Sequence, residues 1–251
     1  MKTSCRFAYV QARVQARFAA LPDSAAWEGL SASRSLAAFL EDARNGALRD
    51  WVKGFSGQSD VHDLEVGVRV QFRETADELA AWVPGPWHAA VRWTRWLILL
   101  PVLEHLARGG PPPDWMERDA ALRRLLDENG LLDRRVLERV GAAPLSGTDD
   151  PAAAWMQHWR ALWPACSREA LRNLDALAAL LGEHVAGFRS SRPEAAWELR
   201  RALAARLRHL FHRRLLQPSA VFIYLTLVAL ELERLRAELV SRALFPMTEA
   251  A

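Results

Sequence analysis

Only two cysteines, Cys5 and Cys166, occur in 251 residues. That is too few for a disulfide framework or a four-ligand zinc site, and it points to a reducing compartment. Lysine is as scarce: Lys2 and Lys53 are the two, so 31 of the 33 basic side chains are arginines. No glycine-rich phosphate loop, HExxH, CxxC or GxSxG sequence is present, so the common nucleotide, metalloprotease, redox and hydrolase signatures are all missing. No basic start, apolar core and small-residue cleavage site marks a secretory leader. Arg6, Arg13 and Arg17 precede the first acid, Asp23, as in an organellar transit peptide, but the apolar spacing there is that of a structural helix. The uncharged stretch Ser219 to Leu230 is too short to cross a bilayer and has the length of a buried core helix. A soluble, cytoplasmic chain is the expectation.

What is present is apolar material for a real core: 51% of the residues are hydrophobic and 25% charged, which excludes general disorder. The length suits one or two compact units. A net charge of +3 is too near neutrality to argue by itself for nucleic acid. Gly109-Gly110-Pro111-Pro112-Pro113 and the run from Gly141 to Pro151 punctuate the chain. They divide it into an N-terminal helical block (1–108), middle helices (109–150) and a C-terminal helical block (151–251), read together as one continuous structural unit. The only internal echo is Asp50-Trp51-Val52 with Asp114-Trp115-Met116.

The periodicity is helical throughout. Phe7, Val10, Val14, Phe18 and Leu21 share one face of a helix that stops at Pro22, and Leu36, Phe39, Leu40 and Ala43 do so between a Ser33 or Ser35 cap and Asn45-Gly46. Val61, Leu64, Val68, Phe72 and Leu79 form a third stripe. Val66 to Phe72 also alternates as a strand would, but the helical pattern extends on both sides. Pro86 opens a helix through Trp87, Trp93, Trp96 and Leu100 that Pro101 kinks or ends. Asp114 and Glu117 make a capping-box-like start for a helix ending at Asn129-Gly130. Asp150-Pro151 starts a helix with Trp155, Trp159 and Leu162, and Ser167 one with Leu171, Leu174, Ala178, Leu181, Val185 and Phe188. A further helix runs from Pro193 to about Gln217. The last carries Val221, Tyr224, Val228, Leu232, Leu235 and Leu239 on one face, with Glu238 four residues before Arg242. The fold class is all-α.

Chemistry-bearing clusters are few. His209 and His212 lie three apart with Glu183 and His184 as remote helpers, yet a zinc site needs three or four converging ligands, and a solvated helix face is the better reading. His62 and Glu65 read as surface polar groups at a helix start. Trp155, Trp159 and Trp163 could form an aromatic platform, but at helical spacing they read as core. Eight arginines between Arg189 and Arg214 face only Glu194 and Glu198, a local excess that suits nucleic acid, anionic lipid or an acidic protein, or a solvated amphipathic helix. Asp60 to Glu78 holds six acids against Arg69 and Arg73, so charge is patterned by region in a way that suits protein docking.

The two ends of the chain resemble the C/d family of V-type and A-type rotary ATPases, the central-stalk connectors. Tyr9-Val10-Gln11-Ala12-Arg13-Val14 is similar to that family's opening tyrosine and ARV-like segment, and Ser35 to Arg44 to its second helix. Pro218 to Arg236 resembles its closing helix, with Tyr224, Glu231, Leu235 and Arg236 on favoured positions, and Glu65 fits an acidic one. The likeness covers residues 5–80 and 215–245 well and the middle poorly. Val228 replaces a frequent lysine, and the chain is shorter than typical members.

The resemblance implies an elongated, funnel-shaped set of pseudo-repeated helical bundles. It implies a non-catalytic connector that couples the central rotor shaft to the membrane proteolipid ring, peripheral to the inner face of a membrane it touches only through its partners in the complex. No cofactor, metal, catalytic residue or small-molecule substrate is then expected. The candidate partner-interface residues are Arg13, Arg200, Arg201, Arg208, Arg213, Glu231 and Arg236, with an internal ion pair the stronger reading for Glu231 and Arg236. Tyr224 is expected to be buried. The alternatives are a helical adaptor or regulatory protein of the same fold without a rotor, an arginine-rich nucleic-acid binder, and an uncharacterised enzyme.

Overall fold

A computed structural model describes residues 2–245, with side chains from residue 7 onward. The Cys5 and Arg6 side chains therefore lie outside the described residues. About 74% of the chain is helical, and no strand occurs among the described residues, so the Val66–Phe72 alternation resolves as helix.

Five helices fill the first block: α1 (Lys2–Ala19), α2 (Ser24–Leu30), α3 (Leu36–Arg44), α4 (Arg49–Val52) and α5 (Val61–Trp82). Their starts follow local chemistry. Asp23, Ser35 and Asp60 each turn a side-chain oxygen back onto a first-turn N–H, satisfying donors that the helix itself leaves free. The stripes read from the sequence are the buried faces, with Val10, Val14, Phe39, Leu40, Val68, Phe72 and Leu79 fully enclosed.

The segment after Pro84 departs from the expected single helix. A 3-10 turn (Gly85–Trp87) leads into α6 (His88–Trp93), a six-residue 3-10 stretch (Thr94–Leu99) and α7 (Leu100–Ala107). Pro101 sits in the first turn of α7, where its missing N–H is unneeded, so it begins a helix instead of ending one. Three residues per turn stack Trp93, Trp96 and Leu99 inward together. The tighter winding also leaves the Trp93 carbonyl available to accept from the Trp155 indole at 3.3 Å, while the Trp93 indole donates to the Trp155 carbonyl at 3.0 Å.

The middle block differs more. Asp114 lies inside α8 (Asp114–Arg118) and caps nothing. The helix breaks at Asp119, whose carboxylate caps α9 (Ala120–Arg123) and accepts from Arg73 at 2.6 Å. A turn around Asp127 then joins Leu126 to Leu132 in an isolated antiparallel bridge, and α10 (Arg134–Arg139) follows where no helix was expected.

The last block holds α11 (Pro151–Ala161), α12 (Arg168–Ser190), α13 (Ala196–Arg213) and α14 (Pro218–Leu244). On α12, Leu174, Ala178 and Leu181 are buried as expected, whereas Leu171 and Phe188 at its ends are exposed. Trp155 and Trp159 stack inside the core. Every residue from 218 to 229 is buried, and α14 packs against α1, α3, α5, α12 and α13, so one hydrophobic cluster runs from Phe7 to Leu239 across all three blocks. Each fully buried Leu, Ile, Val or Phe contributes roughly 1.5–3 kcal/mol.

Gly67, in mid-α5, is needed for close approach. A Cβ there would stand 2.7 Å from Phe55 Cζ, and Phe55 is buried. Gly67→Ala is therefore expected to destabilise the protein by about 1–3 kcal/mol through overpacking, although alanine normally stabilises a helix interior. Urea unfolding reads the sign, and a gain in stability would refute the account.

Candidate functional site

The charged residues singled out in the sequence meet along α14. Glu231 is buried, and both its oxygens are engaged: the Trp27 indole donates to Oε2 at 2.9 Å and Arg208 to Oε1 at 2.8 Å. Arg208 also donates to the Pro22 carbonyl at 2.9 Å, which ties α13 to the α1–α2 turn. One turn along, Arg236 donates to Glu65 at 2.8 Å and to Glu233 at 3.2 Å. Burial alone would lower the Arg236 pKa, but Glu233 and Glu65 outweigh it and leave it raised. Glu65 is also held by Arg69, whose guanidinium lies 3.9 Å over the Trp115 ring.

Glu65 is thus a buried ion-pair member, not the surface group expected from its position near a helix start. The ion-pair reading of Glu231 and Arg236 matches their surroundings. Arg208 joins them, so these three side chains are occupied within the fold and offer no free docking surface. Tyr224 is buried as expected, which pushes its phenol up to about 12.

The remaining candidates are dispersed. Arg13 is exposed yet lies 4.2 Å over Trp82 and donates to the Tyr9 hydroxyl. Arg201 and Arg213 are exposed on α13, the first 3.7 Å from Glu198 and the second beside His209. Arg200 sits between the rings of Phe188 and Trp197.

The arginine-rich stretch is therefore no single basic face. Arg206 meets Glu183, and Arg189 donates to Asp150 at 2.7 Å and to Glu104 at 2.5 Å. The acidic run on α5 is neutralised in the same way: Asp60 and Asp63 by Arg118, Asp77 by Arg92 and Glu78 by Arg17. Neither run is the one-signed docking patch that local counting suggests, because the partners come from remote segments. His209 and His212 point outward, and among the described residues no three His, Cys, Asp or Glu side chains converge as a metal site.

Chemically, the network can hold helices at fixed angles. No helix of the described residues is long and apolar enough to cross a membrane. Compared with family models, curated proteins and solved structures, the chain matches none.

Glu231→Ala removes the shared acceptor of two donors and should cost about 3 kcal/mol in urea unfolding. Arg208→Met leaves a buried carboxylate with one donor, so the double variant Glu231→Ala/Arg208→Met should lose less than the two single losses combined; strict additivity would show that the pair is not coupled. A second expectation concerns acid. Hydrogen bonds from Arg189 and the Ala153 N–H hold Asp150 down at about 2, below its ordinary 3.8. A depressed folded-state pKa contributes stability above the ordinary value, lost as pH falls from about 4 through about 2. Asp150→Asn keeps a good N-cap but loses the ion pair. Because the pair is partly exposed, the variant should be less stable by about 1 kcal/mol at pH 7, with the gap closing near pH 2. A gap that persists at pH 2 would rule out the ion pair as its source.

Proposed function

We propose that this chain is a non-catalytic connector of a V/A-type rotary ATPase, joining the rotor shaft to the membrane proteolipid ring. One observation carries the reading. The positions that bear the resemblance lie at opposite ends of the sequence, yet Glu65, Tyr224, Glu231 and Arg236 all lie on α14 or bond to it.

The build suits the task. A part that passes torque must resist shear between its helices, and directional ion pairs add that resistance to non-directional apolar packing. The 27-residue α14 spans about 40 Å, enough to run through the whole body as a spine. Nucleotide hydrolysis and the ion sites would belong to other members of the complex, and association with a membrane would be indirect. Arg13 on α1 and Arg201 and Arg213 on α13 are the exposed members of the candidate interface set. The nucleic-acid alternative draws less support, since Arg189, Arg201, Arg206 and Arg208 already face carboxylates.

The test is affinity capture of the tagged chain from detergent-solubilised membranes of its own organism, at moderate and high salt, with mass spectrometry of what stays bound. Rotor-shaft and proteolipid-ring proteins are expected, with recovery reduced several-fold by Arg201→Glu/Arg213→Glu. Absence of both from the captured material while both are present in the extract would overturn the connector reading.

A further inference from the structure

A cavity of about 270 Å3 opens between α7, α11, α12, α13 and α14, on the opposite flank of α14 from Trp27. Its walls are apolar, each helix contributing: Pro101, Met156, Leu181, Leu203 and Leu230. Two features of its mouth are not explained by packing. Phe188 lines it 38% exposed, and Trp197, which meets Arg200 outside the lining, is 40% exposed, although large aromatics normally gain by being enclosed. Between them lies Arg200, its guanidinium carbon 4.9 Å from each ring centroid.

Arg200 occupies an unusual register. Counting back from Phe211, Leu207 and Leu203, all buried, the next position on the inward stripe of α13 is residue 200. A guanidinium thus stands where the helix would place an apolar side chain, and it lines the cavity. Burial lowers its pKa from the ordinary guanidinium value, the mark of a partly desolvated cation.

The other charges at the rim are already matched. Glu104 accepts from Arg189, and Glu233 from Arg236. His184, half-buried there, has its pKa lowered by burial and then by Arg200, and adds no cation at neutral pH. Among the described residues lining the cavity, Arg200 is the cation with no hydrogen bond or ion pair. The mouth therefore carries one guanidinium with its donors unused above an apolar hole, Glu233 acting on it through space without a bond.

We infer that this cavity binds a monoanionic straight-chain amphiphile, a medium-chain carboxylate, with the chain inside and the carboxylate on Arg200. The size agrees. If a methylene fills about the 30 Å3 that a water takes up in the liquid, the cavity holds roughly nine carbons beyond the carboxyl group. A guanidinium matches a carboxylate in two parallel hydrogen bonds, and the flanking rings cover the first methylenes. The site is independent of the connector role.

Calorimetric titration of the purified full chain with decanoate, with decan-1-ol as the uncharged match and acetate as the chainless one, tests it. One-to-one binding of decanoate is expected, with decanol at least tenfold weaker and acetate not binding. Arg200→Gln should weaken decanoate at least tenfold and leave decanol unchanged. Ala229→Phe, which fills the cavity from α14, should abolish both while retaining a cooperative melt; Ala152→Leu on the α11 wall gives the same reading if that variant fails to fold. No decanoate binding, decanol binding as tight as decanoate, indifference to Arg200→Gln, or undiminished binding to a folded cavity-filled variant would each overturn the inference.

Discussion

The burial of α14 on every side for its first twelve residues is the constraint from which the rest of the fold follows. A helix without a solvent face must be surrounded, and one neighbour covers only part of its circumference, so helices from the first and last blocks are drawn around it, while the middle block packs on α5 through α8. Thr226 returns its hydroxyl to the Phe222 carbonyl and Pro218 in the first turn brings no N–H to satisfy, while the buried Ser219 hydroxyl is left without a protein partner. The arrangement is therefore hard to divide into independent domains. Removing the first block, or α12 and α13, would expose a stripe of α14 that has no polar side to offer water.

Apolar enclosure alone fixes neither the rotation of α14 nor its axial position, because dispersion and hydrophobic contacts are tolerant of small slips. Glu231 and Arg236 supply that register. Each carboxylate in the network accepts from two partners on different elements, Trp27 with Arg208 and Arg69 with Arg236, so a slip of one turn would strand several donors at once. Buried pairs seldom add much net stability, since desolvation offsets the Coulomb attraction. Their contribution is directional: they resist sliding of one helix along another.

Much of this was legible in the sequence. Stripes such as Phe7-Val10-Val14 and Leu36-Phe39-Leu40, and the Ser35, Asp150 and Ser167 caps, depend on residues within one or two turns, and the structure places them where spacing alone puts them. What escaped depends on remote partners. Asp119 breaks a helix because Arg73, forty-six residues earlier, meets its carboxylate, and Pro101 starts a helix because the preceding residues wind as 3-10 to engage Trp155. Glu65 looks like a surface acid until Arg236 arrives from the far end of the chain. Arg200 carried a local signal, as the arginine on an otherwise apolar stripe with Leu203, Leu207 and Phe211. Counting charges along the segment hid it, because a sum has no direction.

The preference for arginine over lysine has its explanation in the same contacts. Guanidinium planes lie over aromatic rings at Arg13 on Trp82, Arg69 on Trp115, Arg234 on Trp27 and Arg242 on Phe39, which joins the surplus of arginine to the eleven tryptophans. A strongly hydrated ammonium would lose more on entering such partly buried places, and it could not bridge two acceptors in one plane as Arg208 and Arg236 do. An arginine-rich chain with near-zero net charge then ceases to be a contradiction. Much of the arginine serves as structural mortar, flat enough to stack and forked enough to link two elements, and the acids are the second half of those links. Half of the eight arginines from Arg189 to Arg214 face carboxylates in this way, and among the others Arg200 is set apart by lining a cavity while it stacks on two rings.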